Sequence, residues 1–247
     1  MNPYETDELV AQYMEFHYGG NYFSVENYPA ECASICLQLM NGAKKGKALD
    51  LGCAVGRTSF ELAREFEQVV GLDLSSRFIE SASQLKQEGS LQYQMTTEGE
   101  LVTPRRADLA KLGLDHVKGN VSFYQEDACN LAPHHKDYDL IFAGNLLDRL
   151  QDPEQFLSSV HHYLSADGIL VMSSPYTLLT EYTPRENWLG GYMENGREFR
   201  MLDGIKKVLA PHFVILKEPI DVPFVIRETS RKFQHTVAEL SSWKFVK

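Results

Sequence analysis

Little in the chain would suit an oxidising compartment. It has four cysteines, Cys32, Cys36, Cys53 and Cys129, at spacings that make no disulfide framework. Cys32 and Cys36 lie one helical turn apart on an apolar stripe with no second ligand pair after them, which reads as core packing and not as a metal site. No secretory leader and no long apolar run is present, so neither export nor a membrane-spanning helix is expected, and the reading is a reduced, cytoplasmic protein. Dense Lys/Arg runs are missing too, and the formal charge is −10. A nucleic-acid binder carries a basic patch, so a small-molecule partner is expected instead. Two phosphate signatures are absent: the middle glycine of Gly-x-Gly-x-x-Gly, and the Gly-Lys-Ser/Thr of a phosphate loop.

What is there is ample core material, 43% hydrophobic residues in a length that fits one α/β domain with elaborations. The chain is organised around Ala48 to Phe60. Ala48 to Leu51 is apolar on both faces, as a central parallel strand is. Gly52 and Gly56 bracket a turn, and Phe60, Leu62, Ala63 and Phe66 repeat at helical spacing after it. Such a strand–turn–helix corner holds ligands in open α/β sheets. Asp50, just before the turn, repels phosphate and suits an ammonium. S-adenosylmethionine has no phosphate and carries an amino-acid end and a sulfonium. The stretch resembles the first motif of the Rossmann-like, class I methyltransferases. An ordinary nucleotide-fold corner remains the bland alternative. The resemblance implies cofactor contacts from Asp50, Gly52, Cys53, Gly56 and Arg57.

The rest of the chain supports an α/β sheet. Two helices, 2–18 and 28–40, precede it as a cap, residues 1–45, rich in Tyr, His and Phe, which reads as a cover or as a lid over a small ligand. Residues 46–247 form the remaining unit. Strands are expected at Gln68 to Asp73, Val121 to Gln125, Tyr138 to Asn145 and Gly168 to Ser174, parallel by the right-handed crossover rule. Asp73, followed by Leu74, ends the second strand, where a carboxylate accepts from ribose hydroxyls. Asp127 and Ala128 follow the third and are candidates for an adenine amino group and ring nitrogen, with a helix cap as the alternative for Asp127. Asn145 ends the fourth, at the crevice. Residues 90–120 read as an insertion on the sheet edge: a polar piece, then a short helix from Ala107 to Leu114. A second insertion, 175–198, mixes aromatic and charged groups suited to a small zwitterion: Tyr176, Tyr182, Arg185, Glu186, Asn187 and Trp188. A helix is expected at Met201 to Leu209, and final strands at Phe213 to Pro219 and Thr236 to Phe245, paired antiparallel. Arg227, between them, is a candidate bidentate clamp for a carboxylate, or else the partner of Glu228 or another surface acid.

Several segments together resemble the methyltransferases of ovothiol biosynthesis. These are Tyr4-Glu5-Thr6-Asp7, Tyr13 to Gly19, Leu49 to Arg57, Ser174-Pro175-Tyr176, Tyr182 to Gly191, and Ile226 to Thr229. The Phe16-His17-Tyr18-Gly19 and Tyr182-Thr183-Pro184-Arg185-Glu186-Asn187-Trp188 segments discriminate best. The resemblance covers nearly the whole chain. It implies a Rossmann-like fold with a seven-stranded, mostly parallel sheet, helices on both faces and an N-terminal helical cap. It also implies S-adenosylmethionine as donor, S-adenosylhomocysteine as product and 5-thiohistidine as acceptor. A separate iron-dependent sulfoxide synthase is implied as functional partner. Direct transfer needs no metal. An acceptor for the second imidazole nitrogen selects the reactive tautomer; Asn145, Glu186, Asn187, Tyr176 and His17 are the candidates, with Tyr182, Arg185, Trp188 and Arg227 around the substrate. Rival readings are a methyltransferase for another small metabolite, a nicotinamide oxidoreductase, and a non-catalytic cofactor-binding protein.

Overall fold

A computed structural model describes residues 3–246. After a single 3-10 turn at Pro3–Glu5, helix α1 (Asp7–Tyr18) starts from Thr6, whose hydroxyl accepts from Leu9 N. The helix expected from residue 2 thus begins later; Asn2 lies outside the described residues. Helix α2 (Tyr28–Leu39) is capped by Asn27, with Pro29 in its first turn. Then come β1 (Lys47–Leu51), α3 (Arg57–Leu62), β2 (Gln68–Asp73), and α4 (Ser76–Glu88), capped by Ser75 and stopped by left-handed Gly89.

Residues 90–108 depart from expectation. They form a hairpin, β3 (Ser90–Glu98) and β4 (Leu101–Asp108), as a separate two-stranded sheet. The expected helix at Ala107–Leu114 is the end of β4 followed by turns, closed by Gly113 N to Ala110 O (3.0 Å) and Leu114 N to Leu109 O (2.7 Å). Ala107, Leu109 and Leu114 are buried all the same. Burial at those positions therefore does not require a helix.

Strand β5 (Val121–Gln125), β6 (Tyr138–Gly144), α5 (Pro153–Ser159) and β7 (Leu164–Ser174) follow. A small hairpin, β8 (Tyr192–Glu194) and β9 (Arg197–Phe199), interrupts the second insertion before α6 (Met201–Leu209). The last two strands, β10 (Phe213–Arg227) and β11 (Phe233–Phe245), are longer than expected and antiparallel. Pro219 and Pro223 sit inside β10 because it is the sheet's edge, where a missing N–H breaks no ladder.

The main sheet has seven strands in the order β10-β11-β7-β6-β1-β2-β5, with β5, β2, β1, β6 and β7 parallel. Alternate residues feed two cores. Ala48, Leu140 and Phe142 join Met14, Cys36, Phe60 and Phe123 on one face. Leu49, Leu51, Ile141 and Leu170 join Phe156, Ile205 and Trp243 on the other. Cys32 and Cys36 are buried in the first core, and all four cysteines are free thiols. The chain leaves β1 toward β2 and β5 on one side and returns to β6 and β7 on the other. The switch point therefore falls between β1 and β6, at the carboxyl ends of the strands. Among the described residues no helix is long and apolar enough to cross a membrane.

Candidate active site

The corner after β1 is locked by backbone. Gly52 N and Cys53 N both donate to Leu72 O, at 2.8 and 3.0 Å. Gly56 takes φ +87°, and a Cβ there would lie 2.6 Å from the Phe123 ring, so only glycine fits. Ala54 is left-handed as well, at φ +46°. It is held there because its N–H donates to Asp73 Oδ2 at 2.9 Å. Asp50 is buried beneath the corner and accepts from Ser59 Oγ at 2.6 Å. Burial pushes its carboxyl up to about 7, against the Ser59 bond.

Asp73 is the best-built acceptor. One carboxyl oxygen takes the Ala54 N–H; the other takes Ser75 N–H at 2.9 Å. Each oxygen keeps a lone pair for a further donor. Desolvation pushes this group up to about 6, although the backbone N–H bonds oppose it. Leu74 beside it is 60% exposed, an uncovered apolar side chain at a strand end. Asp127 is exposed, and its Oδ1 accepts from Cys129 N at 2.9 Å, closing its own turn; Ala128 is half-buried.

Across the switch point, Asn145 is left-handed at φ +50° and anchored by its N–H to Ser173 O at 2.8 Å. The Tyr28 hydroxyl reaches Asn145 Oδ1 at 2.9 Å and Ser173 Oγ at 2.6 Å. Tyr28 was not singled out from the sequence, where it is one aromatic among many at the amino end. Nearby, buried Asp148 is bonded by Ser174 Oγ (3.1 Å) and Arg149 Nη1 (2.9 Å), and Tyr176 donates to Glu239 Oε1 at 2.7 Å. Glu239, also unforeseen, is set beside Ser174 by the β11–β7 register.

The amino end crosses this region as a strap. On one side Glu5 caps α4 from outside, accepting from Ser76 N (3.0 Å) and Ser76 Oγ (3.1 Å), while Ser75 Oγ donates to Tyr4 O at 3.1 Å and Asp7 pairs with Arg77. On the other, Tyr4 lies near Arg149 and Tyr182, and the Arg149 guanidinium lies 4.7 Å over the Tyr182 ring. Polar groups therefore lead from Asp73, through Ser75, Tyr4 and Arg149, to Asp148.

Other candidates stand apart. His17 is buried, and its Nδ1 accepts from Arg57 N at 3.3 Å, while its carbonyl accepts from Arg57 Nη1 at 3.1 Å. Burial, and then the Arg57 charge, lower its ring to about 3, so it is a neutral acceptor on the start of α3. Tyr18 completes this docking with a 2.7 Å bond to Val55 O. Arg185 is exposed and stacked on Trp188 (4.7 Å) and Tyr192 (4.8 Å); Trp188 Nε1 donates to Thr183 O and Asn187 Nδ2 to Gln151 O, each at 2.9 Å, while Glu186 is exposed. Arg227 does not stand open as a carboxylate clamp. Its Nη1 lies 3.1 Å from Tyr22 Oη and 3.5 Å from Glu15 Oε1, and its Nε donates to Thr229 O at 3.0 Å. Glu15 is buried at that junction and also takes the hydroxyls of Tyr22 and, at 2.6 Å, Tyr93.

Residues 49–172, half of the chain, match the family described as "Methyltransferase domain". Over 147 residues the chain is 26% identical to a ubiquinone biosynthesis O-methyltransferase of Actinobacillus pleuropneumoniae serotype 5b, covering 59% of this chain and 52% of that protein. Over 156 residues it is 27% identical to an uncharacterised protein of Haemophilus influenzae, covering 62% and 51%. The chain thus spans about half the length of these curated relatives. Among solved structures, the N-methyltransferase NodS of Bradyrhizobium japonicum WM9, in complex with S-adenosylhomocysteine, aligns with a TM-score of 0.54 at 15% identity over 96% of this chain and 99% of that one. The [4+2]-cyclase SpnF aligns at 0.56 and 16% identity over 98% and 97%. These two likenesses speak for the fold, that of the Rossmann-like class I methyltransferases, and the matched family gives the membership: the chain belongs to the methyltransferase domain family.

Proposed function

We propose that the protein transfers a methyl group to an imidazole nitrogen of 5-thiohistidine, forming ovothiol A. The donor's fit rests on the residues present. The corner from Gly52 to Gly56 turns backbone toward the strand ends, and Asp73 is held by two backbone N–H groups with acceptor capacity to spare. Asp73 would take the ribose hydroxyls, Asp127 and Ala128 the adenine, and the corner with Asp50, Cys53 and Arg57 the amino-acid end. When bound, S-adenosylmethionine supplies an electrophilic methyl on a sulfonium.

The protein's task is then alignment and tautomer choice. Holding two reactants in line is worth up to roughly 7–11 kcal/mol in ideal systems. Asn145 and the Tyr176–Glu239 pair lie at the ends of β6 and β7, where an acceptor for the second ring nitrogen belongs. Glu239 has one oxygen engaged by Tyr176; the other is the group we assign to hold the ring N–H. His17, Asn187 and Glu186 are engaged or placed elsewhere, and we give them no role in transfer. Arg149, its Nη1 held by buried Asp148, is the group we assign to the acceptor's carboxylate. Residues 1–45 act as the lid, through the Tyr4 to Asp7 strap.

The observation that carries this reading is the set of Tyr4, Arg149, Tyr182 and Asp148 at the switch point, with the Tyr176–Glu239 pair at the end of β7. Relatives named for ubiquinone biosynthesis would favour an acceptor from that pathway, but these charged and hydroxyl groups suit a small polar one. On this reading a separate sulfoxide synthase supplies the acceptor. The test is incubation with labelled S-adenosylmethionine and either 5-thiohistidine or histidine, read by mass spectrometry. Methylated thiohistidine with little methylated histidine is expected; equal labelling of both, or of neither, defeats the assignment. Glu239→Gln should lower kcat for 5-thiohistidine while leaving S-adenosylhomocysteine affinity unchanged.

A further inference from the structure

The loop from residue 126 to residue 137 joins β5 to β6 and contains Glu126, His134 and His135. One donor atom from each lies within 4.8 Å of the other two. His135 is buried, and its Nε2 stands 3.1 Å from both carboxyl oxygens of Glu126. Its other ring nitrogen, Nδ1, lies 2.8 Å from the Tyr138 hydroxyl. His134 is exposed, and its ring overlies that of His135 with centroids 4.2 Å apart.

A simple His–Glu hydrogen bond accounts for the two contacts of Nε2 with Glu126. It does not account for the rest. Ligand histidines are held by a partner on the second ring nitrogen, the place Tyr138 occupies. Atoms bound tetrahedrally to one metal at about 2.0–2.2 Å stand about 3.3–3.6 Å from each other, a few tenths of an ångström more than the 3.1 Å between Nε2 and the Glu126 oxygens. The third donor arrives from the solvent side, so an ion has a way in. Two imidazoles and a carboxylate suit zinc and its neighbours, not calcium or magnesium, which prefer all-oxygen sets.

We propose that Glu126, His134 and His135 bind one divalent transition-metal ion, zinc being the reference case, with a remaining position open to water. The ion clips the loop shut. Glu126 N already donates to Asp73 O at 3.1 Å, so the clip fastens the far end of the loop to the strand end that carries Asp73. Asp127 and Ala128 lie within the clipped segment. The ion takes no part in methyl transfer.

The test is calorimetric titration of chelator-treated, dialysed protein with zinc chloride, beside a magnesium chloride arm. One zinc site and no comparable magnesium uptake are expected. His134→Ala removes an exposed ring and leaves the Glu126–His135 contact, so it should fold normally and weaken zinc binding about tenfold or more. His162→Ala serves as the control. It lies in a separate stack, where His161 is 3.9 Å from His162 and 3.8 Å from His212 between centroids, and its variant should bind zinc as the native protein does. No zinc uptake, or equal affinity in the His134→Ala variant, overturns the proposal. So does zinc uptake that His162→Ala removes and His134→Ala spares.

Discussion

Replacing Asp73 by Asn tests the cofactor site at its best-built point. The substitution keeps shape and removes charge. In the native protein each carboxyl oxygen already accepts one backbone N–H at 2.9 Å, from Ala54 and from Ser75. With an amide, one of those N–H groups faces another donor, and about 1 kcal/mol of fold stability is lost with that bond. The ligand loses more. A hydrogen bond to a charged acceptor is worth about 1.5–3 kcal/mol, and the amide presents neither the charge nor the second oxygen. A loss of about 2–3 kcal/mol corresponds to about 30- to 150-fold weaker binding. The assay is calorimetric titration with S-adenosylhomocysteine near neutral pH, with a thermal melt to show that the variant is folded. Because desolvation sets the Asp73 carboxyl near 6, the native protein should also lose affinity as pH falls through about 6, while the Asn variant stays flat. A variant that binds within about twofold of native, or a native affinity indifferent to pH 6, would refute the role given to Asp73.

Three further outcomes are expected. His17→Ala should cost about 1 kcal/mol of stability, as the loss of a helix-start acceptor does, and leave the pH–rate profile unchanged, since a ring lowered to about 3 is neutral throughout the working range; a rate profile that loses an ionisation in the variant would contradict this. Arg227→Ala should destabilise the fold by about 3 kcal/mol in urea, because buried Glu15 loses a cationic partner, with the Glu15→Gln/Arg227→Met pair recovering part of it; native stability with a selectively raised substrate KM would restore Arg227 as a clamp. Asp50 gives a pH signature. Its carboxyl is raised to about 7 in the fold and lies near 3.9 in the unfolded chain, so between those values the native state holds the proton and the unfolded state does not. Its contribution is therefore fully present below about pH 4 and declines as pH rises toward about 7, a decline that Asp50→Asn should remove in melts run across that range.

The parallel strands were legible because buried β-structure leaves continuous apolar runs, and β2 and β5 fall where the residues place them. Asp73 was legible because a single acid closes such a run. The β3–β4 hairpin was not. Its residues are polar on most positions, and Leu91, Tyr93 and Met95 alternate among them too sparsely to mark a strand. Nor was the fate of His17 and Arg227. A histidine that caps a helix 40 residues on, and an arginine that meets a glutamate across 212 residues, depend on packing that no local pattern encodes. Tyr28 and Glu239 were missed for the same reason: each bonds across more than 60 residues.

The Glu15–Arg227 junction has a consequence for synthesis. At roughly 5–20 residues per second, a ribosome reaches Arg227 roughly 10–40 s after Glu15. During that interval α1 has its caps, its aromatic neighbours and, once made, Arg105 at 3.8 Å from Glu15, but not the Arg227 guanidinium that lies nearer, at 3.5 Å. The strap and the first helix are therefore among the first segments made and among the last to be locked. A nascent chain stalled before residue 227 should leave its amino end open to a protease, and one released with β10 and β11 complete should not.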